Sequence, residues 1–85
     1  MSRRLVTLSE QADRWLGRHR WVSYLKIANI ARYKQGKVTE IKDKKLLIET
    51  NVNNNGKPVP IFIKIEEKED ANLDTYIEVH VIKLH

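Results

Sequence analysis

Two hydrophobic periods divide the chain. In TLSEQADRWLG, Leu8, Ala12, Trp15 and Leu16 fall at i, i+4, i+7 and i+8, one face of a helix. Thr7, with Glu10 three residues on, offers a capping box, and Gly17 a C′ stop. A second helix is predicted over YLKIANIARYKQ, capped by Ser23, with Tyr24, Ile27, Ala28 and Ala31 inward and Gly36 as its stop. One long helix through Gly17 is the competing reading, but RHRWVS is a poor helical continuation and favours two.

From Lys37 the period shortens to two. KVTEIK alternates imperfectly, KDK makes a turn, and KLLIET follows as a strand. NVNNNGKP reads as a loop, dense in Asn with Gly56 and Pro58. VPIFIKIEE places Val59, Ile61, Ile63 and Ile65 on one face, and Pro60 implies a strand start or an edge. After the charged connection EKEDANLD, TYIEVHVIKLH repeats the alternation with Ile77, Val79 and Val81. With a short first strand at RRLVT, the order is strand, two helices, then three or four antiparallel strands. That order predicts an α+β fold with the helices on one sheet face. Eighty-five residues make a single domain, with a basic helical segment over about 7–36 and strands over about 37–85.

Charge follows the same division. Residues 1–37 hold nine Lys/Arg against two acids, and residues 38–85 hold seven lysines against nine acids. All six arginines lie in the first segment. Arginine grips phosphate bidentately, so a basic N-terminal half suits an anionic partner, RNA or DNA first. A basic surface that only keeps the protein in solution is the plainer alternative. There is no cysteine, which excludes disulfides and thiolate metal sites and fits a reducing compartment. No apolar run approaches a bilayer span, and MSRRLVTLSE lacks the apolar core of a signal peptide. A cytoplasmic protein with no membrane partner is expected.

Ser9, Gln11 and Ala12 in SEQADRWLGR match the start of the rough pattern S-x-H-A-x-x-R-x-x-x-R, with Gln11 in place of the histidine, and Arg14 and Arg18 keep its four-residue arginine spacing one position early. Together with IANIARYKQGKV and GKPVPIFIKIEE, this stretch resembles the RelE/BrnT-like toxin superfamily and the small domains grouped with it. The resemblance implies that fold, metal-independent endoribonuclease activity, and an antitoxin as protein partner. Gln11 withholds any acid–base role from its own position.

Metal-independent RNA cleavage needs a base, an acid and a cation. His80 is the best base: it lies out of phase with Ile77, Val79 and Val81, on the strand face of Tyr76 and Glu78. Lys64, out of phase with Ile63 and Ile65, joins them from the neighbouring strand. His80, Tyr76 and Lys64 are therefore the candidate catalytic residues. The alternative is an ordinary solvated sheet face. Ile82 and Leu84 fall on His80's side of the alternation, which suggests cover by a second subunit, as in a homodimer.

Arg14 and Arg18, four apart, project together from the first helix, with His19 and Arg20 in the turn beyond. These four are the candidate phosphate contacts, and a solvated helix side is the alternative. Glu10 is spaced to pair with Arg14. Trp15 shares the core stripe, whereas Trp21 matches neither stripe. No histidine pair has metal-ligand spacing, no glycine-rich phosphate loop occurs, and no nucleophilic triad is present. Neither metal nor cofactor is expected. A non-catalytic nucleic-acid-binding or oligomeric regulatory protein is the other functional expectation.

Overall fold

In the computed structural model, residues 4–72 and 74–85 are described. Arg3, part of the predicted first strand, and Leu73, in the charged connection, lie outside them. The elements are β1 (Leu5–Leu8), α1 (Glu10–Arg18), α2 (Tyr24–Tyr33), β2 (Lys37–Lys42), β3 (Lys45–Asn54), β4 (Lys57–Glu69) and β5 (Thr75–Leu84). The expected α+β class is observed. The expected element order, one strand, two helices and then four strands, is also observed. The sheet is mixed because the first strand joins it: the order is β1-β5-β4-β3-β2, with β1 parallel to β5 and the other pairs antiparallel.

Ser9, not Thr7, begins α1. Its hydroxyl accepts from the Ala12 N–H at 3.1 Å, while its own N–H donates to the Val79 carbonyl at 2.9 Å. Thr7 is unavailable as a cap because it still belongs to β1. Gly17 does not stop the helix. α1 continues to Arg18 and closes with the His19 N–H on the Leu16 carbonyl at 3.2 Å. Ser23 caps α2 as expected, accepting from the Lys26 N–H. α2 buries Ile27, Ala28, Ile30 and Ala31 and ends two residues early, at Lys34 in the left-handed region. Tyr24, expected inward, keeps its ring half exposed and donates its hydroxyl to the Val6 carbonyl at 2.6 Å.

The Asn-rich stretch is mostly strand rather than loop. β3 runs through Asn54 and β4 starts at Lys57, so only Asn55 and Gly56 turn, with φ of 52° and 86°. Two successive positive φ values match the twist of a two-residue hairpin, and Asn-Gly supplies them at least cost. β4 is also central, against the expectation from Pro60. The Pro60 carbonyl accepts from the His85 N–H just past the end of β5. The ring nitrogen therefore faces the side where β5 has run out, and no internal ladder bond is lost.

The largest departure lies in β5. Lys64 pairs with Val81, but Ile65 pairs with Val79, so His80 is an extra residue, a β-bulge. Inward positions shift from odd to even across it: Ile77 and Val79 are buried before it and Ile82 after it, while Val81 is only half-buried. Ile82 thus belongs to the core. The outward Ile82–Leu84 pair, on which a covering subunit was expected, does not form; Leu84 alone is exposed. The core lies between the helices and one sheet face, with Trp15, Val22, Ile27, Ile30, Ile48, Ile61, Ile63, Ile65, Ile77, Val79 and Ile82 buried in it. Among the described residues no polar side chain is buried, and no helix is long and apolar enough to cross a membrane.

Candidate functional site on the open sheet face

The sheet face turned away from the helices is polar and crossed by ordered rows. Strand pairing sets Glu49, Phe62 and Lys83 side by side, then Leu47, Lys64 and Val81, then Lys45, Glu66 and Glu78, then Lys68 and Tyr76. The bulge inserts His80 between the second and third rows. Its ring Nε2 lies 2.7 Å from Glu66 Oε1 and 3.2 Å from Glu78 Oε1. Lys68 Nζ lies 3.1 Å from the same Glu78 oxygen.

The ionisation of this group follows from its contacts. The hydrogen bond from His80 pulls the Glu66 carboxyl below its ordinary value. Partial desolvation opposes this, and the charges of Lys45, His80 and Lys68 assist it. The hydrogen bond and charge of Glu78 raise Lys68. An ionised Glu66 is an acceptor, so the hydrogen between the two groups is donated by His80 Nε2. Ligand atoms of Glu66, Glu78 and His80 all lie within 4.8 Å of one another. These three therefore have the spacing to hold a metal ion, a His–carboxylate group that linear spacing does not reveal. Lys68 already supplies positive charge there.

Two shallow clefts open on this face. One, of about 180 Å³, is lined by Ile41, Lys45, Lys64, Ile65 and His80. The other, of about 210 Å³, is lined by Leu47, Phe62, Lys64, Val81 and Lys83. His80 and Lys64 are thus brought together as expected. Tyr76 shares their face but stands four residues from His80 along β5, on the order of 13 Å, beyond Glu78.

The other predicted residues lie elsewhere. Arg14 pairs with Glu10 on solvent-exposed α1, and Arg18 and Arg20 are exposed on the same helical layer. That layer covers the opposite face of the sheet, so the arginines and His80 do not share one concave surface. His19 stacks on Trp15 with ring centroids 3.9 Å apart and its Nδ1 2.8 Å from the Trp15 carbonyl. It lids the buried tryptophan.

Comparison with protein families, with curated proteins and with solved structures finds no match. The geometry must therefore speak for itself. Sequence reasoning missed Glu66, Lys45, Lys68 and Phe62 as members of this face. The signal was present for three of them: Phe62, Glu66 and Lys68 are out of phase with the Ile61–Ile63–Ile65 row, as Lys64 is. Lys45 comes in only through its pairing with Glu66.

Proposed function

We propose that the chain engages RNA on its open sheet face and cleaves it without a metal ion, His80 acting as base. The observation that carries this reading is the His80 imidazole, held by Glu66 at 2.7 Å in a cleft that also presents Lys45 and Lys64. Glu66 fixes the Nε2–H tautomer, and Nδ1 takes the 2′-hydroxyl proton. The 2′-oxygen then attacks the adjacent phosphorus. The bond to the 5′-oxygen breaks as that oxygen takes a proton from the Lys64 ammonium, giving a 2′,3′-cyclic phosphate and a 5′-hydroxyl. Lys45 and Lys64 stabilise the charge that builds on the phosphorane. Tyr76, too distant for the reacting atoms, contacts a neighbouring nucleotide. The RelE/BrnT-like resemblance, an antitoxin-type partner and a cytoplasmic location belong to the same proposal.

The test is cleavage of a 5′-labelled unstructured RNA in excess chelator. Parent protein is expected to yield cyclic-phosphate ends, and His80→Ala to lose at least about 100-fold in rate. Glu66→Gln, which loosens the tautomer, is expected to lose less. A His80→Ala variant as fast as the parent sinks the assignment, and a parent that cleaves nothing removes catalysis altogether. RNA binding without cleavage would then be the function of the face.

A further inference from the structure

The geometry points to a nucleobase-stacking subsite at Phe62, beside the His80 cleft, that makes single-stranded RNA the ligand of this face. The inference rests on the RNA reading above and adds what the RNA must look like. Phe62 is the chain's single phenylalanine, and it stands on the solvent side of the central strand rather than in the core. His85 packs against it with ring centroids 4.6 Å apart and planes tilted by 31°. Leu47 and Val81 extend this apolar floor, and Lys64 and Lys83 rim it.

Charge decides the occupant. No carboxylate lines either cleft, and among the described residues Lys45, Lys64 and Lys83 make no ion pair. Glu49, the cross-strand neighbour of Phe62, is turned to Lys37. Unpaired cations around a flat apolar floor suit a ligand that is itself flat and anionic.

Spacing fits as well. Lys64 belongs to both clefts, and His80 lies about three residues, on the order of 10 Å, from the Phe62 row. A base on Phe62 therefore leaves its phosphate at Lys64 and the adjoining sugar near His80. A base can lie on Phe62 only when it is unpaired, because duplex RNA keeps its bases stacked inside.

The experiment measures binding of a fluorescein-labelled unstructured RNA hexamer and of a blunt RNA duplex at one salt concentration. Phe62→Ala is expected to weaken hexamer binding roughly 5- to 100-fold while leaving duplex binding unchanged. Phe62→Trp is expected to restore the hexamer, and circular dichroism of each variant checks the fold. Hexamer affinity unchanged in a folded Phe62→Ala variant overturns the subsite, while His80→Ala still reports separately on cleavage. Parent binding without cleavage leaves the subsite standing and removes the ribonuclease reading. A parent that prefers anionic vesicles or a polyglutamate peptide to the hexamer overturns both.

Discussion

The Ser9 hydroxyl donates to the His80 carbonyl at 2.5 Å, so the residue that caps α1 also grips the bulge in β5. With the Ser9 N–H on the Val79 carbonyl, one residue holds two successive carbonyls at that bulge. The position of the imidazole therefore depends on where the first helix starts.

Replacing Ser9 by Ala removes the cap and the grip together. A loss of about 1–2 kcal/mol is expected in urea denaturation. Ser9→Thr keeps both bonds and should stay near the parent. Ser9→Asp keeps a cap acceptor but sets a carboxylate against a carbonyl, so it should be less stable than Ser9→Thr. Equal stability of those two would count against the grip.

The bulge also decides which neighbour of His80 is structural. Ile82→Ala opens a hole in the core and should cost about 2–5 kcal/mol. Val81→Ala, on the open face, should cost about 1 kcal/mol or less. The opposite order in denaturation midpoints would restore an uninterrupted alternation through β5.

Two glycines should respond in opposite directions. At Gly36, with φ of 149°, an added Cβ would collide with the Glu49 carbonyl oxygen. Gly36→Ala should lose at least about 2 kcal/mol. Gly17 sits inside α1 with nothing within 4 Å of an added Cβ. Gly17→Ala should gain about 0.5–1 kcal/mol, read as a higher melting temperature.

Acid should unfold the protein partly through two neighbouring carboxylates. At Glu67, partial burial raises the carboxyl. The hydrogen bond and charge of Lys34, with Arg4, more than reverse that, so Glu67, like Glu66, titrates below the ordinary 4.5. A folded value below the unfolded one stabilises fully above about pH 4.5, and that contribution is lost as pH falls through the lowered folded value. Glu66→Gln and Glu67→Gln should each flatten the acid limb of a stability–pH curve. An unchanged limb in both variants would rule out these pairs as its source.

Salt dependence separates the two faces of the molecule. Single-stranded RNA binding weakens with a log–log slope of about 0.7 per phosphate neutralised. Lys64→Ala and Lys83→Ala should each reduce that slope by about this amount, and Arg14→Ala with Arg18→Ala should leave it alone. The reverse result would move the RNA to the helical layer.

Much of this fold was legible in the sequence because its signals are local. The helical stripe, Ser23 before the second helix, and the Ile61–Ile63–Ile65 row each act over a few residues. The bulge was not legible, because TYIEVHVIKL alternates acceptably in either phase and only pairing with β4 selects the break. The Asn run hid a hairpin: Asn favours loops, but Asn55-Gly56 locks a register that carries Asn51 and Asn53 along as strand. For the site, His80 and Lys64 could be read from alternation. Glu66, the group that fixes the imidazole, became meaningful only when β4 and β5 lay together. The arginines drew attention by composition, which carries no information about which side of a sheet they occupy.

The parallel pairing of β1 with β5 has a consequence for the order of events during synthesis. Residues about 70 apart must meet, and such distant closures come late and slowly in folding. Until β5 leaves the ribosome and inserts between β1 and β4, His80 has neither its carboxylate nor its bulge. The open face of a nascent chain is therefore incomplete, and its rows of side chains come together only once the last strand has been made.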